Sequence, residues 1–101
     1  MFRRARFTQL IASQLDLFER DHRDVIEEVD GRLEAYNRAG RDEAEEVYGD
    51  YLDAVETGTE ILADMRDHYA QSLDEPGGYL REFKKAVERR FPDLALEIDN
   101  R

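Results

Sequence analysis

Apolar residues recur every three or four positions along most of this chain, and that spacing is typical of an α-helix that buries one face. The first series comprises Phe7, Ile11, Leu15, Phe18, Val25, Val29, Leu33 and Tyr36. His22 fills the one step in this series that lacks an apolar residue. Because the average repeat matches the helical period, the pattern predicts one continuous helix over about residues 5–38.

A second series begins after Gly40 and predicts a second long helix over about residues 42–73. Its seam comprises Ala44, Tyr48, Tyr51, Val55, Gly58, Leu62, Met65 and Tyr69. The acidic pair Asp42 and Glu45 has the spacing of a capping box, which marks a helix start. A third, shorter helix is predicted over about residues 76–91, followed by a short C-terminal segment over 92–101.

The short connection around Gly40 predicts that the two long helices fold back on each other as antiparallel neighbours. Residues whose numbers add up to about 80 then face each other, which places His22 opposite Gly58. The predicted fold is all-α: a single domain over residues 1–101, built as a long antiparallel helical hairpin. The third helix packs on the base half of that hairpin, giving a three-helix bundle with a coiled-coil-like seam.

Composition and charge narrow the functional classes. The chain has no cysteine and only two histidines, which excludes a disulfide framework and a histidine-rich metal site. Its formal net charge is −10, and the stretch 16–75 holds 20 acidic residues against six arginines. Since such a surface repels phosphate, the sequence argues against nucleic acid as a partner. We expect a cytoplasmic protein, because no segment is apolar enough to cross a membrane.

The strongest candidate for chemistry is the pair Glu19 and His22, which has the Glu-x-x-His spacing of carboxylate-bridged metal bundles. The predicted facing helix supplies no inward carboxylate there, so a metal-binding half-bundle is only a remote alternative. No glycine loop suited to phosphate is present. The sequence therefore predicts a protein that is not an enzyme, with no cofactor and no small-molecule substrate.

Apolar residues are doubled in the half of the hairpin that the third helix is too short to reach. A two-helix hairpin in water needs one apolar stripe, so the surplus predicts a further packing surface. The predicted partner interface comprises Val25, Ile26, Tyr48, Tyr51 and Leu52. This pattern favours a protein-protein interaction module, either an accessory subunit or adaptor of a larger assembly or a homo-oligomer.

The basic N-terminus supports an alternative function. Arg3, Arg4 and Arg6 precede the first acidic residue, Asp16, and lie between Phe2 and Phe7. In this interpretation the protein is a peripheral regulator that contacts an anionic membrane or nucleic-acid surface through these arginines.

Two segments resemble small uncharacterised helical proteins of high-GC Gram-positive bacteria. They are the segments Gln14-Leu15-Asp16-Leu17-Phe18 and Asp42-Glu43-Ala44-Glu45-Glu46-Val47-Tyr48-Gly49-Asp50-Tyr51. The resemblance implies a bacterial cytoplasmic protein and carries no activity or site residues with it.

Overall fold

The computed structural model describes residues 6–101, and over that range the chain is helical without any strand. The predicted all-α class is therefore confirmed. Five helices follow one another: α1 (Thr8–Asp21), α2 (Arg23–Arg38), α3 (Ala44–Ala70), α4 (Gly77–Arg90) and α5 (Pro92–Asp99). The molecule is elongated, with principal extents of 55 × 27 × 23 Å.

The first predicted helix is divided into α1 and α2 at His22, the residue that interrupts its apolar series. His22 has φ −127° and ψ 36°, outside the helical region. Its backbone N–H still donates to the carbonyl of Phe18, and its own carbonyl accepts from Val25 and Ile26. The break lets the two halves serve different neighbours, since α1 packs on α4 whereas α2 packs on α3.

Helices α2 and α3 run antiparallel, but in a register different from the predicted one. Arg32 lies 3.7 Å from Asp50, and the rings of Tyr36 and Tyr48 are 5.0 Å apart. The numbers of these pairs add up to 82 and 84 rather than about 80. The cause lies in the turn: α3 begins at Ala44 without a side-chain cap, so the predicted capping box at Asp42 does not form and the turn is longer.

Gly58 consequently faces other residues than the sequence predicts. A Cβ atom at Gly58 would lie 3.3 Å from the methyl groups of Leu94 and 3.4 Å from Val25. These two side chains, and not His22, are its nearest neighbours. The missing side chain of Gly58 thus lets α5 pack closely on α3, next to the start of α2.

The C-terminal segment, predicted only as a short stretch, is the helix that closes the core. Pro92 occupies the first turn of α5, where its missing N–H costs nothing, and Leu94 and Ile98 are buried one turn apart. Arg66 of α3, whose side chain is only 13% exposed, donates to the carbonyls of Ile98 and Arg101 at 3.2 and 3.1 Å. A cation at the negative end of α5 holds this helix on α3.

A single core joins the base of all five helices. Its largest fully buried side chains are Phe18, Leu15, Leu62, Tyr79, Phe83 and Val87. The Tyr79 ring packs between Phe7 and Tyr69, and its hydroxyl donates to Gln14 at 2.9 Å. Burial raises the pKa of the Tyr79 hydroxyl above its ordinary value, so this hydroxyl stays protonated in the core.

A carboxylate from α4 stabilises the start of α1. The first turn of α1 contains no acidic residue, and its N-cap residue, Phe7, makes no side-chain cap. Instead, the carboxylate of Glu82 accepts from the backbone N–H groups of Phe7 and Arg6 at 3.0 and 3.2 Å. A negative charge at this position favours the helix dipole and ties α1 to α4.

We expect Glu82→Gln to lower the free energy of unfolding by about 0.5–1 kcal/mol, because the amide keeps the shape but loses the charge. Glu88→Gln is the matched control, since Glu88 is exposed on the same helix. Urea unfolding at low and high salt measures both. An equal change in the two variants would show that the contact with the start of α1 contributes nothing.

One buried hydroxyl in the core has no partner. The Oγ1 atom of Thr59 makes no hydrogen bond to any residue of the described chain, and its side chain is fully buried in α3. We expect Thr59→Val to raise the free energy of unfolding by about 1–2 kcal/mol, because valine has the same shape without the unsatisfied hydroxyl. Thr57→Val is the control, since the exposed Thr57 hydroxyl donates to the Asp53 carbonyl. Chemical unfolding that gives a lower stability for Thr59→Val would contradict this interpretation.

Candidate interaction surface

The end of the α2–α3 pair differs from the rest of the molecule. We call residues 30–53 the tip: the last two turns of α2, the turn, and the first ten residues of α3. No residue of the tip is buried, whereas the remainder of α2 and α3 contributes Val29, Ala54, Val55 and Leu62 to the core. Helices α1, α4 and α5 pack at the other end. Helix α5 comes near the inner edge of the tip at Tyr51, and closer to the turn α2 and α3 pack on each other.

Three tyrosines and a leucine form the apolar surface of the tip. The ring of Tyr48 lies 5.0 Å from that of Tyr36 and 6.1 Å from that of Tyr51. Tyr36, Tyr48 and Leu52 are 37%, 43% and 41% exposed. Since Leu52 follows Tyr48 by one helical turn, their side chains lie on the same face of α3. Tyr36, Tyr48 and Leu52 form an apolar patch that the rest of the described chain leaves exposed, and the half-buried Tyr51 lies at its inner edge.

The structure divides the five predicted interface residues into two groups. Tyr48 and Leu52 are exposed at the tip, as the prediction requires. Val25, Ile26 and Tyr51 are half-buried instead. Ile26 and Tyr51 pack against the core, and Val25 lies at Gly58 beside Leu94.

The reason for this difference is α5, which reaches the part of the hairpin that the third helix does not. Its first turn brings Asp93 close to Tyr51. Burial, with added repulsion from Asp93 and Tyr48, raises the pKa of the Tyr51 hydroxyl above its ordinary value. The apolar surplus around Val25 and Tyr51 is therefore partly used within the chain. The apolar residues that stay exposed, Tyr48 and Leu52, belong to the part of the hairpin nearer the turn.

Sequence reasoning missed one residue of the patch. Tyr36 belongs to the predicted seam of the first helix, so its spacing indicated a residue buried between the two helices. The longer turn and shifted register leave its ring at the surface beside Tyr48. Its position four residues before Gly40 is the one signal that could have suggested exposure, because hairpin ends lack further neighbours.

The basic N-terminus is only partly described. Arg3 and Arg4 lie outside the described residues. Arg6 is exposed, and its guanidinium lies 5.1 Å from the centre of the Phe7 ring. Its backbone is held by Glu82, so α4 places an acidic group next to this arginine.

The Glu19 and His22 pair does not form a site with other ligands. The carboxylate of Glu19 accepts from Arg90 at 2.9 Å, and the His22 ring packs 5.8 Å from that of Phe18. Within residues 6–101 no group of three or more histidine and acidic side chains is arranged to hold a metal ion.

Among the helices that the structure describes, none is both long and apolar enough to cross a lipid bilayer. No known protein family, curated protein or solved structure matches the chain. The structure itself describes an all-α fold with an exposed apolar patch at one end.

Proposed function

We propose that this chain is a non-enzymatic helical interaction module of the cytoplasm, which binds a partner protein through its tip. In this account the base is the end where α1, α4 and α5 pack on the α2–α3 pair. It folds around its own hydrophobic core and holds the tip in position. The tip is the part of the hairpin that another protein completes. The module then serves as an accessory subunit or adaptor of a larger assembly, or associates with itself.

The observation that carries this proposal is the absence of any buried residue over the whole tip, residues 30–53. An isolated pair of helices with an open apolar seam gains little stability from its own contacts, because most helical stability in proteins comes from tertiary packing. Aromatic side chains such as Tyr36 and Tyr48 bring large apolar area with few rotatable bonds, and tyrosine is enriched at protein interfaces. A partner that covers them supplies the packing that the chain itself provides only at the base.

The test is the double variant Tyr48→Ala, Leu52→Ala. We expect it to fold with a free energy of unfolding within about 1 kcal/mol of the wild type, because both side chains are exposed and alanine favours the helix. The variant should lose at least about 90% of the partner recovered when the tagged chain is purified from the cells that express it, as truncating central aromatic contacts typically weakens binding by more than tenfold.

The control is Leu96→Ala. Leu96 is 80% exposed on α5, at the base and away from the tip. This substitution removes a more exposed leucine and should leave partner recovery unchanged. Equal recovery by the wild type and the tip variant would contradict the proposal, and so would a loss of recovery caused by Leu96→Ala alone.

A further inference from the structure

The charges around the tip carry information about its partner. Residues 30–53 contain eight acidic side chains and three arginines, a net charge of −5, which is half the charge of the whole chain. Two of the arginines are already engaged within the hairpin. Arg32 pairs with Glu28 at 2.7 Å and with Asp50 at 3.7 Å, and Arg38 pairs with Glu34.

The remaining acids have no such compensation. Within the described chain, no ion pair engages six acidic residues of the tip, which are Asp30, Asp42, Glu43, Glu45, Glu46 and Asp53. Glu45 precedes Tyr48 by three residues and so lies at the edge of the aromatic patch. The patch is therefore an apolar centre with an uncompensated acidic rim.

This charge pattern disfavours a second copy of the chain at the same surface. A symmetric dimer through the tip would place two tips of net charge −5 against each other, and like charges at an interface oppose association. With a partner that has a basic rim, the repulsion becomes an attraction. Such a partner also associates faster, because the long-range electrostatic field of the tip attracts it.

The fold also indicates the shape of the partner. At the base, α5 lies on α3 beside the start of α2, with Leu94 against Gly58 and Val25. Tyr51, near Asp93, marks the end of this covered zone, and Tyr48 continues the same face of α3 by one turn. A helix from a partner could pack on the tip as α5 packs on the base. Its apolar residues, at helical spacing, would then contact the tyrosines.

We propose that the tip binds a basic amphipathic helix of a different protein, whose lysines or arginines flank an apolar stripe. This inference rests on the proposed function and adds the chemistry of the partner to it. The patch supplies the apolar contact, and Glu45, Glu46 and their acidic neighbours select the charge. Binding of this kind weakens as salt screens the rim.

Three matched helical peptides of about 18 residues test this inference. All carry the same leucines at i, i+3, i+4 and i+7, and their flanking positions hold lysine, glutamine or glutamate. Fluorescence anisotropy with the full chain measures their affinities. We expect the lysine peptide to bind about tenfold or more tightly than the glutamine peptide, and the advantage to shrink at about 0.5 M NaCl. The glutamate peptide should not bind.

Variants of the chain show where the peptides bind. The double variant Tyr48→Ala, Leu52→Ala should lower the affinity for the lysine peptide by about tenfold or more, and Leu96→Ala should leave that affinity unchanged. The double variant Glu45→Gln, Glu46→Gln should lower the affinity for the lysine peptide but leave the affinity for the glutamine peptide unchanged. Sedimentation of the chain alone should show a monomer at low and at high salt.

The outcomes separate this inference from the proposed function. If the glutamine peptide binds as tightly as the lysine peptide and both need Tyr48 and Leu52, the tip is an interaction surface without charge selection, and the inference is wrong. A dimer that the tip variant abolishes would also overturn it, because the occupant would then be a second copy. Failure of every peptide to bind, or binding that ignores Tyr48 and Leu52, would count against the inference and leave partner recovery to decide the proposed function.

Discussion

Phe18→Ala should lower the free energy of unfolding by about 3–5 kcal/mol, the largest loss that we expect from a single substitution in this chain. The Phe18 side chain is fully buried. Its ring packs edge-on against Phe91 at 5.3 Å and lies 5.8 Å from His22, so it joins the end of α1 to the junction of α4 and α5. Removing the ring leaves a cavity at the point where three helices meet.

Guanidinium unfolding measures this loss, and Leu17→Ala is its control. Leu17 precedes Phe18 in the same helix but is 43% exposed, so its truncation should cost less than about 1 kcal/mol. Comparable losses at the two positions would mean that α1 presents a different face to the core.

Gly58→Leu should lower the free energy of unfolding by about 1–3 kcal/mol through overpacking. A Cβ atom alone would already lie 3.3 Å from Leu94 and 3.4 Å from Val25, so we expect the larger leucine side chain to push these neighbours away. Because α5 is short, we expect it to be displaced before α2, so amide exchange should accelerate in α5 first.

Gly49→Ala is the control for the effect of glycine in the same helix. Nothing lies within 4 Å of a Cβ atom at Gly49, so alanine there should raise the stability by about 0.5–1 kcal/mol through helix propensity alone. An unchanged or higher stability of Gly58→Leu would show that α5 does not pack on Gly58.

The helical period of the apolar residues was sufficient to predict an all-α fold, and the break at His22 shows what this signal lacks. A one-residue interruption leaves the spacing on both sides intact, so Phe18 and Val25 still fit one helix. The break depends on contacts distant in sequence, namely those of α1 with α4 and of α2 with α3. His22 was the irregular member of the series, but an isolated polar residue in a seam is common in continuous helices.

The role of α5 was harder to predict for the same reason. Pro92, Leu94 and Ile98 are consistent with a short helix, but nothing in their spacing says which surface they cover. Local pattern indicated the surplus of apolar residues in the far half of the hairpin. Tertiary contacts then decided that Val25 and Tyr51 are partly covered within the chain, whereas Tyr48 and Leu52 stay exposed.

Hydrogen exchange of the backbone amides, measured on the free chain and on the chain bound to its purified partner, tests the interaction surface most directly. In the free chain we expect amides of the tip, residues 30–53, to exchange faster than those of α3 around Val55 and Leu62, which are buried. Binding should slow exchange across the tip and leave α4 and α5 unchanged. Protection confined to the base, with a tip that exchanges as fast in the complex as in the free chain, would contradict the account.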